Sequence, residues 1–204
     1  MSSRTILFIV GAYVFNCCAI LAMMEEPKKE EAKAIFAGGC FWCTEASFDG
    51  VKGVTRTTSG YIGGHVDNPS YKDVSAGNSG HREALEVTYD PTVVTYNELL
   101  DIFWQNIDPT DNYGQFADRG SQYRTAVFYL NEEQYREAVA SKAAVEKRLG
   151  TKVQTEILKA GTFHPAEEYH QNYHEKNPYR YQQYKTGSGR PKRLQELWGS
   201  PHDS

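Results

Sequence analysis

Ala34-Ile35-Phe36-Ala37-Gly38-Gly39-Cys40-Phe41-Trp42-Cys43-Thr44-Glu45-Ala46-Ser47-Phe48 carries an apolar run into a helical one across two glycines. Residues 34–37 read as a short strand and residues 41–48 as a helix, so Cys40 falls where the strand hands over to the first helical turn. The unpaired N–H groups and the positive end of the helix dipole favour a thiolate there. Two bulky aromatics follow at once. That pattern points to an activated nucleophile beside an apolar pocket rather than to a structural thiol.

Working outward, residues 54–61 are rich in β-branched side chains and end at Gly63-Gly64, a strand entering a turn. Residues 84–89 alternate and stop at Asp90-Pro91, a strand with one solvated face. Thr95 opens an amphipathic helix through Leu99, Leu100, Ile102, Phe103 and Trp104, and a long loop covers 110–122. A strand at 125–130, a helix from Asn131 to Gly150, a strand at 153–158 and a helix at 165–176 complete the body. The predicted fold is α+β: a two-layer mixed sheet with packed helices and a ferredoxin-like core in the order β-α-β-β-α-β-α-β.

Four segments are predicted along the chain. Residues 1–24 hold an apolar stretch after Arg4, with Asn16 its one strongly polar residue, and read as a signal peptide or an N-terminal membrane anchor. A buried core helix is the bland alternative, but the stretch has no polar face for solvent. A charged spacer covers 25–33, the catalytic domain 34–185, and a Gly/Ser/Pro-rich tail, read as mobile, 186–204. The catalytic part is therefore expected to be exported, periplasmic or secreted, or membrane-anchored outside the cytosol through residues 5–24.

The formal charge of −4 over 204 residues, with no dense basic block, gives no sign of a nucleic-acid partner. Of the four cysteines, Cys17 and Cys18 lie in the apolar segment, which leaves Cys40 and Cys43. Two cysteines three apart cannot staple a fold, so a disulfide scaffold is excluded.

Several further segments align in order: Gly60-Tyr61-Ile62-Gly63-Gly64, Asn68-Pro69-Ser70-Tyr71-Lys72-Asp73-Val74, Gly80-His81-Arg82-Glu83-Ala84, Asp118-Arg119-Gly120-Ser121-Gln122-Tyr123-Arg124, and Tyr169-His170-Gln171-Asn172-Tyr173 running to Lys176-Asn177-Pro178. Together with Gly39-Cys40-Phe41-Trp42 they resemble the A-type peptide-methionine sulfoxide reductases over about residues 34–180. The resemblance implies reduction of the S epimer of methionine sulfoxide, in proteins and free, with no cofactor and no metal. It implies a thioredoxin-type or small-thiol reductant and a monomer.

Reducing a sulfoxide requires a nucleophile at sulfur and a proton for the departing oxygen. Cys40 supplies the first and becomes a sulfenic acid. The second calls for a carboxylic acid still protonated near neutral pH, which an apolar surrounding provides. Glu83 is the candidate on the family likeness; alone it would equally read as a surface strand carboxylate. Tyr71 and Tyr123 match tyrosines that hydrogen-bond the sulfoxide oxygen, although as loop tyrosines they could be packing. Phe41 and Trp42 would hold the S-methyl group, or be core aromatics. Asp118 matches an aspartate that fixes the site, and otherwise reads as a turn residue. Many relatives carry a recycling cysteine soon after the Asn177-Pro178 equivalent, and this chain has none after Cys43. Cys43 therefore either resolves the sulfenic acid or is a small packed residue.

Two rivals complete the reading. Strand–Cys-x-x-Cys–helix also describes a thioredoxin-like dithiol oxidoreductase, although such a site gives Tyr71, Glu83 and Tyr123 no role. His164, His170 and His174 could share a metal, the last two at i,i+4 on the predicted 165–176 helix, but no further ligand completes the set; they read as surface or structural histidines.

Overall fold

The computed structural model describes residues 31–199; the leader or anchor expected at 1–24 and most of the 25–33 spacer lie outside the described residues. Strand β1 (Ala32–Ala37) leads into helix α1 (Phe41–Phe48), strand β2 (Val54–Ile62), the short helix α2 (Tyr71–Ser75), strand β3 (Arg82–Tyr89) and helix α3 (Tyr96–Gln105). The two-residue strands β4 (Gly114–Gln115) and β5 (Asp118–Arg119) form a small hairpin before strand β6 (Ala126–Tyr129), helix α4 (Glu132–Leu149) and strand β7 (Glu156–Lys159). Strand β8 (His164–Pro165) and helices α5 (Tyr173–Lys176), α6 (Pro178–Gly187) and α7 (Arg190–Trp198) close the described chain.

The sheet runs β7-β6-β1-β3-β2-β8, with β6 and β7 parallel and every other neighbouring pair antiparallel. Its inner four strands, β6-β1-β3-β2, are joined by the β-α-β-β-α-β path expected from sequence. Alternation sorts the side chains: Phe36, Leu85, Val87 and Val127 face the layer of Phe48, Leu99, Leu100, Phe103 and Val145. Ile35, Ala37, Ala84 and Phe128 face the other way, under Leu158, Ala160 and Phe163. The helices that hold the site thus press on one face of the sheet.

Local chemistry explains the boundaries. Thr95 Oγ1 accepts the Glu98 N–H (3.2 Å) and Glu98 returns a bond to the Thr95 N–H (2.7 Å), closing both ends of a capping box on α3. Asn131 accepts the Gln134 N–H (2.9 Å) to start α4, and Gly150 ends it in the left-handed conformation.

Three expectations are corrected. The 110–122 stretch is not a plain loop: buried Gln115 bonds Asp108 through both ends of its amide (2.8 Å each) and pins the β4–β5 hairpin under Gly39. Residues 165–176 are not one helix. Gln171 spends its amide on both backbone groups of Ser59 (2.8 and 2.9 Å), Asn172 turns left-handed (φ 51°), and helix resumes only at Tyr173. The tail expected to be mobile from residue 186 is ordered through α7. Arg193 Nε reaches Asp108 (2.7 Å), Trp198 Nε1 donates to Ile107 O (3.2 Å), and Arg190 is only 3% exposed. Its Gly and Pro residues cap helices here rather than mark disorder: Gly189 is left-handed just before α7, and Pro191 sits in the first turn. Among the described residues, no helix is long and apolar enough to cross a membrane.

Candidate active site

The site grows out of the junction between β1 and α1. Gly39 takes φ +85°, and a side chain there would come within 2.6 Å of Gln115, so glycine is required by backbone and by space. The turn sets Cys40 as the residue just before α1, its carbonyl accepting from the Cys43 and Thr44 N–H groups (3.1 and 3.2 Å). Phe36 pairs with Leu85, so Glu83, two residues along β3 on the same face, lies beside the glycine turn. The Phe41 N–H donates to Glu83 Oε2 at 3.0 Å. Glu83 is 2% exposed and Cys40 6% exposed.

Burial pushes the Glu83 carboxyl up to about 8, with Asp118 and Cys43 adding to the rise and the Phe41 N–H opposing it. A carboxylic acid protonated at neutral pH therefore stands next to the cysteine. Cys40 itself differs from the sequence expectation of a favoured thiolate: its thiol is held well above the ordinary value. Burial is the main cause, followed by hydrogen bonding to Cys43 and the charge of Glu83, while a Tyr184 hydrogen bond pulls the other way. One N–H that might have stabilised a thiolate, that of Phe41, is committed to Glu83. Cys43 moves in the opposite direction, down to about 7. The bond from Cys40 is the main cause, helped by Arg190 and Lys185 and opposed by burial and Asp118. The first proton to leave this pair is that of Cys43.

Aromatic rings wall the site. Phe41 lies 4.8 Å from the His170 ring and 5.9 Å from Tyr61, and Tyr71 lies 4.6 Å from His170, centroid to centroid. Trp42 stacks on Tyr173 at 3.7 Å and donates from Nε1 to His170 Nδ1 (3.1 Å). Burial keeps His170 below its ordinary pKa, consistent with a neutral ring that accepts at Nδ1. Tyr71 is the first residue of α2, not a loop tyrosine. Ser70 caps that helix with Asp73, and Glu167 accepts both the Tyr71 N–H (2.8 Å) and the Tyr61 hydroxyl (2.9 Å). Tyr123 ends a 3₁₀ turn at Ser121–Tyr123. Burial and the nearby Glu83 raise both phenols, Tyr71 to about 12, so each stays a neutral donor. Asp118, on β5, accepts from the Tyr184 hydroxyl of α6.

Cys40, Phe41, Trp42, Cys43, Tyr71, Glu83, Asp118 and Tyr123 thus gather around one point from α1, α2, β3, β5 and a 3₁₀ turn. The histidines do not form a shared centre: His170 sits buried in the aromatic wall, His174 pairs with Asp49 (3.1 Å), and His164 lies against His81. Sequence reasoning missed Tyr184, Glu167 and Arg190. His170 and its neighbours stood in a quoted motif, which was the available signal; Tyr184 and Arg190 lay in or next to the segment read as mobile.

The peptide methionine sulfoxide reductase family model matches residues 32–202. A peptide methionine sulfoxide reductase MsrA of Bacillus licheniformis is 52% identical over 176 residues, covering 83% of this chain and 95% of that protein. The crystal structure of Mxr1 from Saccharomyces cerevisiae in reduced form is similar, with a TM-score of 0.71 at 34% identity, over 74% of this chain and 87% of that one. Mxr1 in complex with Trx2 matches with a TM-score of 0.52 at 25% identity, over 73% of this chain and 91% of that one.

Proposed function

The chain belongs to the peptide methionine sulfoxide reductase family and reduces methionine sulfoxide to methionine, and from that premise we propose how its own residues divide the work. Cys40 is the nucleophile and Glu83 the acid. Tyr71 and Tyr123 donate to the sulfoxide oxygen, Phe41 and Trp42 hold the methyl group, and Asp118, through Tyr184, fixes the far wall. The single observation that carries the reading is the Phe41 N–H bond to Glu83 at the mouth of Cys40: one backbone group positions the acid beside the thiol.

In the first step the Cys40 sulfur attacks the sulfoxide sulfur, its proton passing to solvent, while Glu83 protonates the oxygen. The protonated oxygen passes to the Cys40 sulfur as the S–O bond breaks; the bond between the two sulfurs breaks with its electron pair going to the substrate sulfur, so methionine is released two electrons reduced and Cys40 is left as a sulfenic acid. Cys43 then attacks the sulfenic sulfur, expelling water and forming a Cys40–Cys43 disulfide. The hydrogen bond between the two sulfurs and the low Cys43 pKa support this resolving role over mere packing. Donors on one side and an apolar wall on the other favour a single epimer, and family membership supports the S form as that epimer, in proteins and as the free amino acid.

A thioredoxin-type reductant is supported by the similarity to Mxr1 in its complex with Trx2. The apolar stretch at 6–24 supports export or membrane attachment.

The test is one turnover of a racemic methionine sulfoxide peptide without reductant. We expect one methionine per chain, half of a limiting racemate left untouched, a protein mass lower by two hydrogens, and no methionine from Cys40→Ser. Equal consumption of both epimers, or turnover by Cys40→Ser, overturns the assignment.

A further inference from the structure

On the side of α1 away from Glu83 lies a cleft of about 620 Å³ between α1, α3, α4, α6 and α7. Cys43 lines it, together with the cationic side chains Arg148, Lys185 and Arg190. No acidic side chain lines it, and none of the three cations has a carboxylate within ion-pair distance among the described residues. In a chain of net charge −4 this is a local reversal of sign around a buried thiol. The cations are also held in place. Arg190 donates to Asn106 O (2.6 Å) and Gly38 O (3.3 Å) and lies 4.3 Å over the Phe116 ring. Arg148 donates to Trp198 O (3.2 Å) with its guanidinium over the indole, and the Lys185 ammonium sits 5.8 Å from the Tyr181 ring centre. The charges of Lys185 and Arg190 are felt at the Cys43 sulfur itself.

We propose that this cleft binds a second reductant beside the thioredoxin type, a small thiol carrying carboxylate groups, and delivers it to the Cys43 sulfur by a route separate from the sulfoxide pocket. The proposal rests on the reading of Cys43 as the resolving cysteine. The volume lies within the range of small-molecule sites, and three unpaired cations select carboxylates while concentrating a thiolate. The chemistry balances. One thiolate attacks Cys43 Sγ, the Cys40–Cys43 bond breaks, and Cys40 leaves as a thiolate beside the Tyr184 hydroxyl. A second thiolate attacks the mixed disulfide, releasing the small-molecule disulfide and the Cys43 thiolate. The protons lost by the two small thiols end on the protein sulfurs.

The experiment starts from full-length protein oxidised by one turnover and checked for the loss of two hydrogens. Its disulfide is then reduced with mercaptosuccinate, 3-mercaptopropionate, 2-mercaptoethanol or cysteamine, with rates expressed per thiolate. We expect mercaptosuccinate to exceed 2-mercaptoethanol by roughly ten-fold at low salt and cysteamine to be slowest. The order should collapse toward equality in 1 M salt and in Lys185→Gln with Arg148→Gln. Rapid alkylation should trap the mixed disulfide on Cys43, with Cys40 alkylated. Rates indifferent to charge, or an adduct on Cys40, overturn the cleft proposal while the resolving role stands. If no disulfide forms on turnover, it is the resolving role that falls. The cleft is then read in Cys40→Ser, by the rate at which Cys43 reacts with anionic 5,5′-dithiobis(2-nitrobenzoate) relative to neutral 2,2′-dithiodipyridine. Preference for the anion that Lys185→Gln removes supports the cleft, and no preference overturns it.

Discussion

Cys40 and Cys43 stand three residues apart at the start of one helix, yet their surroundings are opposed. Cys40 looks toward Glu83 and a wall of aromatics, and its proton is held tightly. Cys43 looks toward Lys185 and Arg190, and its proton is released near neutrality. Both share the same helix dipole, so the helix cannot account for the difference. Burial is the main cause at Cys40 and the bond from Cys40 the main cause at Cys43, and distant chain widens the difference: β3 brings the carboxyl, α6 and α7 the cations. In the proposed division of work, the attacking thiol is thus kept protonated until substrate arrives, and the resolving thiol is kept ready.

The sharpest way to break this contrast is on the Glu83 side. Glu83→Gln keeps an acceptor for the Phe41 N–H but removes the proton donor. Methionine formation in the first turnover should fall by roughly two to four orders of magnitude in rapid-quench measurements. A burst as fast as wild type would remove Glu83 from the chemistry. The same carboxyl has a signature in stability. Its folded pKa, about 8, lies above the ordinary value near 4.5, so its contribution is fully present below that ordinary value and is lost as pH rises through about 8. Glu83→Gln should therefore be more stable than wild type at pH 8 by on the order of 1–3 kcal/mol, measured by denaturant titration, and the difference should vanish near pH 4.

The pH dependence separates the two cysteines directly. The first step should slow as pH rises through about 8, where Glu83 loses its proton. Disulfide formation should quicken as pH rises through about 7, where Cys43 becomes a thiolate. Stopped-flow release of methionine and timed mass spectrometry of the protein give the two limbs. Parallel profiles would mean the two thiols act as one group.

On the Cys43 side, Cys43→Ala should leave the first methionine burst, abolish the Cys40–Cys43 disulfide, and lower steady turnover with thioredoxin by roughly ten-fold or more. Unchanged cycling would return Cys43 to a packing role. The smallest effect expected is from Arg190→Met, which removes a cation from Cys43 and two carbonyl contacts at Gly38 and Asn106. Resolution at pH 7 should slow several-fold, its pH limb should move upward, and stability should drop by about 1–3 kcal/mol. A limb that stays at about 7 would take Arg190 out of the electrostatics.

Much of this was readable in the chain. The strand at residues 84–89, the Thr95 cap and the Asn131-to-Gly150 helix are local signals, because each depends on residues within a few positions, although the solvated face expected of that strand is largely buried between its neighbours and both core layers. The ferredoxin-like order followed from them. The strand–glycine–cysteine–helix junction was equally local, since Gly39 must adopt a positive φ that few other residues tolerate. What the chain did not display was whatever depends on long-range placement. Gln171 breaks a predicted helix because Ser59, 112 residues away, takes both ends of its amide. The C-terminal segment orders because Arg190, Arg193 and Trp198 find carbonyls and a carboxylate on the body. The acidity of the two thiols reversed a local expectation for the same reason. Sequence by itself marked the side chains proposed to carry the chemistry and the strand–glycine–helix junction that holds Cys40. Tertiary structure alone decided their protonation, because a charge in a buried site answers to every group within several ångströms, whatever its distance along the chain.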